Sequence, residues 1–211
     1  LPAAKQGETA HRYVLGLYHI MDELTTRFPE ILFEGCSSGG NRFDLGILNY
    51  FPQIWASDNT DALCRTGIQN SYSYGYPLSV FTAHVSSCPN HQTLRITPLE
   101  TRFQVASFGV LGYECNLKDL SGSDLNAIRE QIALYKKWRE VFQFGTFYRG
   151  TENEDSDSET LSWTCVSTDG RRAVGLFFRR LTTPNQSHDW YRPVGLLPDV
   201  KYHFYGGFLL T

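Results

Sequence analysis

The feature that most restricts this chain is a repeated alternation. A short apolar burst is followed by a turn of small polar residues and then by a stretch with helical periodicity. Ala10, Tyr13, Val14, Leu17, Ile20, Met21, Leu24 and Phe28 recur at the helical period over residues 8–28, and Pro29 stops the run. The burst at residues 31–36 suits a buried parallel strand entering the turn Ser37-Ser38-Gly39-Gly40-Asn41. Residues 43–51 are expected as a short helix closed by Pro52, and residues 53–57 as a second strand ending in the carboxylate of Asp58. A helix over 60–70, carrying Ala62, Leu63 and Ile68, precedes a third strand over 79–85 and a loop through Pro89-Asn90-His91. Residues 102–110 read as a fourth strand with 111–114 leading out of it. Leu125, Ile128, Ile132, Tyr135, Trp138 and Phe142 then mark an amphipathic helix, with Ser123 as N-cap and Gly145 as stop. Strand, loop and helix in this order predict an α/β fold with a parallel sheet.

After about Phe147 the pattern changes. Residues 161–166 and 172–181 read as paired strands around the turn Thr168-Asp169-Gly170, and residues 202–210 as a further strand, so an antiparallel β region is expected here. The stretch 151–160 between the two regions carries five acidic residues and no basic ones. Its spacing does not fit an EF-hand loop, and it reads as a solvated loop.

The net charge of −3 gives no electrostatic reason to expect nucleic acid or an anionic membrane surface as partner. No run of 18 apolar residues occurs, so no spanning helix is expected. The five cysteines are an odd number at wide spacing, which argues against a disulfide framework or a zinc site and for a reducing, cytoplasmic setting. With Leu1 first and Met21 the only methionine, the sequence reads as one that begins within a longer protein.

Two successive strand ends carry the groups with most chemistry. Cys36, followed by Gly39 and Gly40, closes one; Trp55-Ala56-Ser57-Asp58 closes the next. A carboxylate beside an indole can be partly desolvated, which suits a general acid. A plainer reading stays open for each. Asp58 could cap the following helix, the glycine pair could be only a turn, and Cys36 could be a small buried hydrophobe. His84 and His91 lack the spacing of a helical metal pair, and no serine-hydrolase elbow is present, so no metal and no cofactor are expected.

The runs Cys36-Ser37-Ser38-Gly39-Gly40-Asn41-Arg42-Phe43-Asp44 and Pro52-Gln53-Ile54-Trp55-Ala56-Ser57-Asp58-Asn59-Thr60-Asp61 resemble family 36 of the glycoside hydrolases, the α-galactosidases. The likeness extends through His11 to Tyr18, through Ala83-His84-Val85-Ser86 and Pro89-Asn90-His91-Gln92, and through Thr97 to Arg102. The resemblance implies the C-terminal half of a (β/α)8 TIM barrel over residues 1–146, followed by a partial antiparallel β-sandwich domain over 147–211. It implies a retaining hydrolase that releases terminal α-galactose from melibiose- and raffinose-type oligosaccharides. Asp58 would be the acid/base, with Cys36, Gly39 and Trp55 as sugar contacts. The family's nucleophile belongs to a segment upstream of the part that matches Leu1, so the isolated chain is expected to be inactive. The glycine loop also departs from the family's longer glycine run, since Ser38 and Asn41 interrupt it. Galactosyl transfer of the raffinose-synthase type and a non-catalytic carbohydrate-binding remnant are the alternatives, and a homo-oligomeric parent is expected.

Overall fold

The computed structural model describes residues 2–36, 41–150, 159–182, 184–185 and 188–206. Its elements in chain order are α1 (Gln6–Arg27), β1 (Glu34–Gly35), β2 (Gln53–Trp55), α2 (Ala62–Tyr72), β3 (Phe81–Ser86), α3 (Leu99–Ala106), β4 (Val110–Glu114), α4 (Gly122–Phe144), β5 (Thr146–Arg149), β6 (Thr160–Val166) and β7 (Ala173–Arg179). Among the described residues, β1 to β4 form a parallel sheet in sequence order and β5 to β7 an antiparallel one. The α/β reading and the separate antiparallel region thus both hold. No helix among the described residues is long and apolar enough to cross a membrane.

Alternation along β3 sorts the parallel sheet into two faces. Phe81, Ala83 and Val85 are fully buried and belong to one core with Phe103, Val105 and Phe108. Thr82, His84 and Ser86 point the other way, and register sets Thr82 level with Trp55 of β2 and Val110 of β4. His84 stands opposite Gly112, where a Cβ would lie 2.5 Å from the imidazole Cδ2; the glycine makes room for that ring.

The two sheets share their core. Trp163 of β6 is fully buried against Phe108 and Phe147, with ring centroids 5.3 and 6.0 Å away, and its Nε1 donates to Asn70 Oδ1 at 3.1 Å. Arg149 of β5 donates to the Ser73 carbonyl at 2.9 Å and lies 3.9 Å over the Tyr74 ring. Tyr135, Val141 and Phe142 of α4 fill the space between. Helix α4 ends at Gly145, where a Cβ would sit 2.5 Å from Val141 O and 2.6 Å from Val166 O, so only glycine lets the helix end meet β6 this closely.

Several sequence expectations are corrected. Residues 102–110 are not a strand: Pro98 precedes helix α3, which buries Thr101, Phe103, Val105 and Ala106, and β4 starts at Val110. The β-prone Phe and Val residues are overridden because Gln69 Nε2 donates to the carbonyls of Val105 and Phe108, both at 3.0 Å, satisfying groups a helix end leaves bare. The helix expected over 43–51 is a single 3-10 turn, Ile47–Asn49, set by Asp44 Oδ1 accepting from Ile47 N at 2.9 Å. Ser121, not Ser123, caps α4 by accepting from Asp124 N at 3.1 Å. The strand expected over 31–36 pairs only at Glu34–Gly35, and residues 202–206 are not in a strand; residues 207–210 lie outside the described set. The acidic stretch also lies outside it, except Glu159 and Thr160. Of the periodic face of α1 only Met21 is buried, against Ile47 and Ile54, while Tyr13, Val14 and Ile20 are exposed.

Candidate active site

Strand β2 ends at Trp55, and a six-residue loop, Ala56 to Asp61, delivers the chain to α2. Two aspartates in this loop compete for the helix end, and the structure separates their roles. Asp61 is the N-cap: its Oδ1 accepts from Leu63 N at 2.8 Å and Cys64 N at 3.1 Å. Asp58 is therefore released from capping. Its side chain is exposed beyond the C-terminal edge of the parallel strands, and no hydrogen bond to its carboxylate forms among the described residues.

Ala56 packs in the core, and the rest of the loop is held by polar ties. The Asp61 carboxylate, with no exposed side-chain surface, accepts from Thr93 Oγ1 at 2.5 Å and from Arg95 Nε at 2.8 Å. Burial alone would raise its pKa, but the Thr93 hydroxyl, the Cys64 N–H and the Arg95 guanidinium outweigh it and hold the carboxyl below its ordinary value. Next to it, Thr60 Oγ1 accepts from Asn90 Nδ2 at 2.9 Å and Thr60 O accepts from Ser86 Oγ at 3.1 Å. Arg102 donates to the Ser86 carbonyl and, at 3.0 Å, to Thr97 O. The β3–α3 loop is thus fastened to the loop bearing Asp58 at both Thr60 and Asp61.

Trp55 is nearly buried. The His84 ring packs on it with centroids 4.4 Å apart, and the Arg65 guanidinium lies over it with Cζ 4.2 Å from the ring centroid. His84 Nδ1 is 3.3 Å from Glu114 Oε2, within hydrogen-bonding distance, so the carboxylate braces the imidazole. His91 is exposed, and among the described residues no group of three or more His, Cys, Asp and Glu could hold a metal ion.

The register that pairs Gly35 with Ile54 sets Cys36 level with Trp55, one strand over, and Cys36 is exposed rather than a buried hydrophobe. Gly39 lies outside the described residues. The fold therefore brings Cys36, Trp55 and Asp58 to one edge of the sheet. Sequence reasoning missed Arg65, Glu114 and the ties made by Asn90, Thr93 and Arg95. The periodicity of α2 gave no hint that Arg65 points inward.

The Melibiase family model matches residues 1–145, and the model of the glycosyl hydrolase family 36 C-terminal domain matches residues 160–209. The chain belongs to glycoside hydrolase family 36. Among its curated relatives, alpha-galactosidase 1 of Pediococcus pentosaceus is 48% identical over 202 residues, which is 96% of this chain and 27% of the relative. Alpha-galactosidase AgaA of Geobacillus stearothermophilus is 46% identical over 206 residues, or 98% of this chain and 28% of the relative. A crystal structure of an AgaA variant in complex with raffinose superposes with a TM-score of 0.87 at 47% identity, covering 93% of this chain and 27% of that one. The Lactobacillus brevis α-galactosidase gives 0.89 at 44% identity, covering 94% and 27%. This family 36 chain spans about a quarter of the length of the relatives it matches.

Proposed function

We propose that this chain is the part of a retaining α-galactosidase that carries its acid/base, Asp58. The observation that supports it most is the division of labour between two aspartates. With Asp61 closing the helix, Asp58 stands free and solvent-reachable three residues after Trp55, at the end of parallel strands where α/β enzymes build their sites. Four parallel strands in sequence order fit half of a (β/α)8 barrel, and the antiparallel strands fit the start of a β-sandwich domain.

In this reading Asp58 protonates the departing glycosidic oxygen and later takes the proton of the water that attacks the galactosyl-enzyme. Trp55 supplies the exposed remainder of its indole to the sugar's C–H surface, and Cys36, one strand over, borders the ring; Gly39 completes the contacts as the family resemblance implies. The nucleophile must sit about 5–5.5 Å from Asp58 to leave no room for direct attack by water. No residue of this chain is assigned that role, so the 211-residue chain alone is read as inactive. The substrates are terminal α-galactosides of the melibiose, raffinose and stachyose type, for which the complexes of relatives with raffinose and stachyose speak. Free thiols at all five cysteines fit a reducing, cytoplasmic setting.

The test is turnover of p-nitrophenyl α-galactoside by protein expressed from the complete reading frame that encodes this chain. Hydrolysis with retention at C1, lost in Asp58→Asn without a change in fold, is expected. Absence of turnover, or an Asp58→Asn enzyme of normal activity, would refute the reading.

A further inference from the structure

Neither capping nor the loop ties explain why Arg65 is buried near the strand tops. It lies in the first turn of α2, four residues after the N-cap Asp61, and it is 2% exposed. Its Nη2 donates to the Thr82 carbonyl at 3.3 Å, while Nε and Nη1 have no hydrogen-bond partner among the described residues. A buried guanidinium held by a single bond is costly, and an apolar side chain of similar volume would stitch α2 to the sheet at less expense. Burial indeed takes its pKa down to about 10, against the opposing influence of Glu114, Tyr72 and Asp58.

What Arg65 does, and an aliphatic side chain could not, is lay a planar cation over Trp55. Thr82, whose carbonyl it binds, is the residue level with Trp55 in the sheet, so a single side chain fixes the starts of α2 and β3 and the end of β2 relative to one another. The His84 ring also packs on the indole, itself braced by Glu114 and seated over Gly112.

The geometry points to Arg65 as a positioning residue: it holds the Trp55 ring against β2, so that the small part of the indole left exposed is fixed beside the sugar site. This rests on the α-galactosidase reading of the site. Arg65 touches neither substrate nor the reacting atoms, and its effect passes through Trp55. A role of this kind separates function from stability. Removing the cation releases the ring and weakens sugar binding, whereas it also removes a poorly satisfied buried charge and so leaves the fold at least as stable.

The experiment is a double-mutant cycle in protein from the complete reading frame, with Arg65→Met, Trp55→Leu and the pair, read as KM and kcat for p-nitrophenyl α-galactoside and as Tm. Arg65→Met is expected to raise KM about tenfold with a smaller change in kcat, and to leave Tm unchanged or higher. In the Trp55→Leu background the same change should move KM by less than about twofold. Arg65→Lys keeps the charge but not the planar fork and should fall between wild type and Met; should Arg65→Met yield no folded protein, the cycle is run with Lys against the same criterion. Equal effects of the Arg65 substitution in both backgrounds, or a lowered Tm with KM within about twofold of wild type, overturn the role. A wild-type protein with no α-galactoside turnover refutes the functional reading and this inference with it; an active wild type with an additive cycle overturns only the role of Arg65.

Discussion

Replacing Asp61 by alanine separates the support of the site from its chemistry. The substitution removes an N-cap that accepts from two backbone N–H groups, a hydroxyl hydrogen bond from Thr93 and the Arg95 ion pair. Loss of a cap costs about 1 kcal/mol. The Thr93 bond, made to a charged and buried carboxylate, contributes about 1.5–3 kcal/mol. Arg95 is 45% exposed at its side chain, so its pairing is discounted for solvent screening to under about 1 kcal/mol. Relief of the carboxylate's own desolvation offsets part of this, leaving a net loss of about 3 kcal/mol. For a domain of this size that corresponds to a fall in Tm of about 6–12 °C. Asp61→Asn retains a capping oxygen and should lose only about 1 kcal/mol. Because the carboxyl is held below its ordinary value in the folded state, its contribution is complete above the unfolded pKa of about 3.9 and is lost as pH falls through the folded value. The gap between wild type and Asp61→Ala should therefore close in acid. Thermal melts at about pH 7 and in steps below about pH 4 measure this, with kcat for α-galactoside measured in parallel on protein from the complete reading frame. A loop displaced by about 1 Å should lower kcat by about a hundredfold although Asp61 does no chemistry. An alanine variant melting within about 2 °C of wild type, or a gap that widens in acid, would refute the reasoning.

Asp58→Asn changes an exposed group with no hydrogen bond among the described residues, so in protein from the complete reading frame, under the proposed α-galactosidase reading, Tm should stay within about 1 °C while kcat falls by about 10²–10⁴, seen by calorimetry and rate assay. Gly112→Ala places a methyl 2.5 Å from His84 Cδ2, and displacement of that ring should cost about 1–3 kcal/mol in urea unfolding. Trp163→Ala removes a fully buried indole that joins the two sheets and the bond to Asn70; a loss of about 3–5 kcal/mol is expected, with both sheets melting together by circular dichroism. Cys165 is buried and its thiol is pushed well above its ordinary pKa by that burial, so at about pH 8 it should resist iodoacetamide while exposed Cys36 and Cys88 are labelled, as peptide mapping will show.

The sequence alone determined the elements whose signal is local. Periodic apolar residues specify α4, a Thr168-Asp169-Gly170 turn between apolar runs specifies the β6–β7 hairpin, and bursts ending in polar residues specify β2 and β3. The same local code carried the run around Asp58, because its residue types stand close together in the chain. Packing decided the rest. Helix α3 forms where Phe and Val suggest a strand because Gln69, more than thirty residues away, reaches the carbonyls of Val105 in its last turn and Phe108 just beyond it. Whether Asp58 or Asp61 capped α2 could not be read from Asp-Asn-Thr-Asp, since either residue suits a helix start; the partners that choose Asp61 are Thr93 and Arg95, on a loop beyond the next strand. Arg65 likewise reads as an ordinary helix cation until β2 and β3 close over it. Residue periodicity is set by neighbours along the chain, but burial and pairing of charge are set by groups that only the folded sheet brings within a few ångströms.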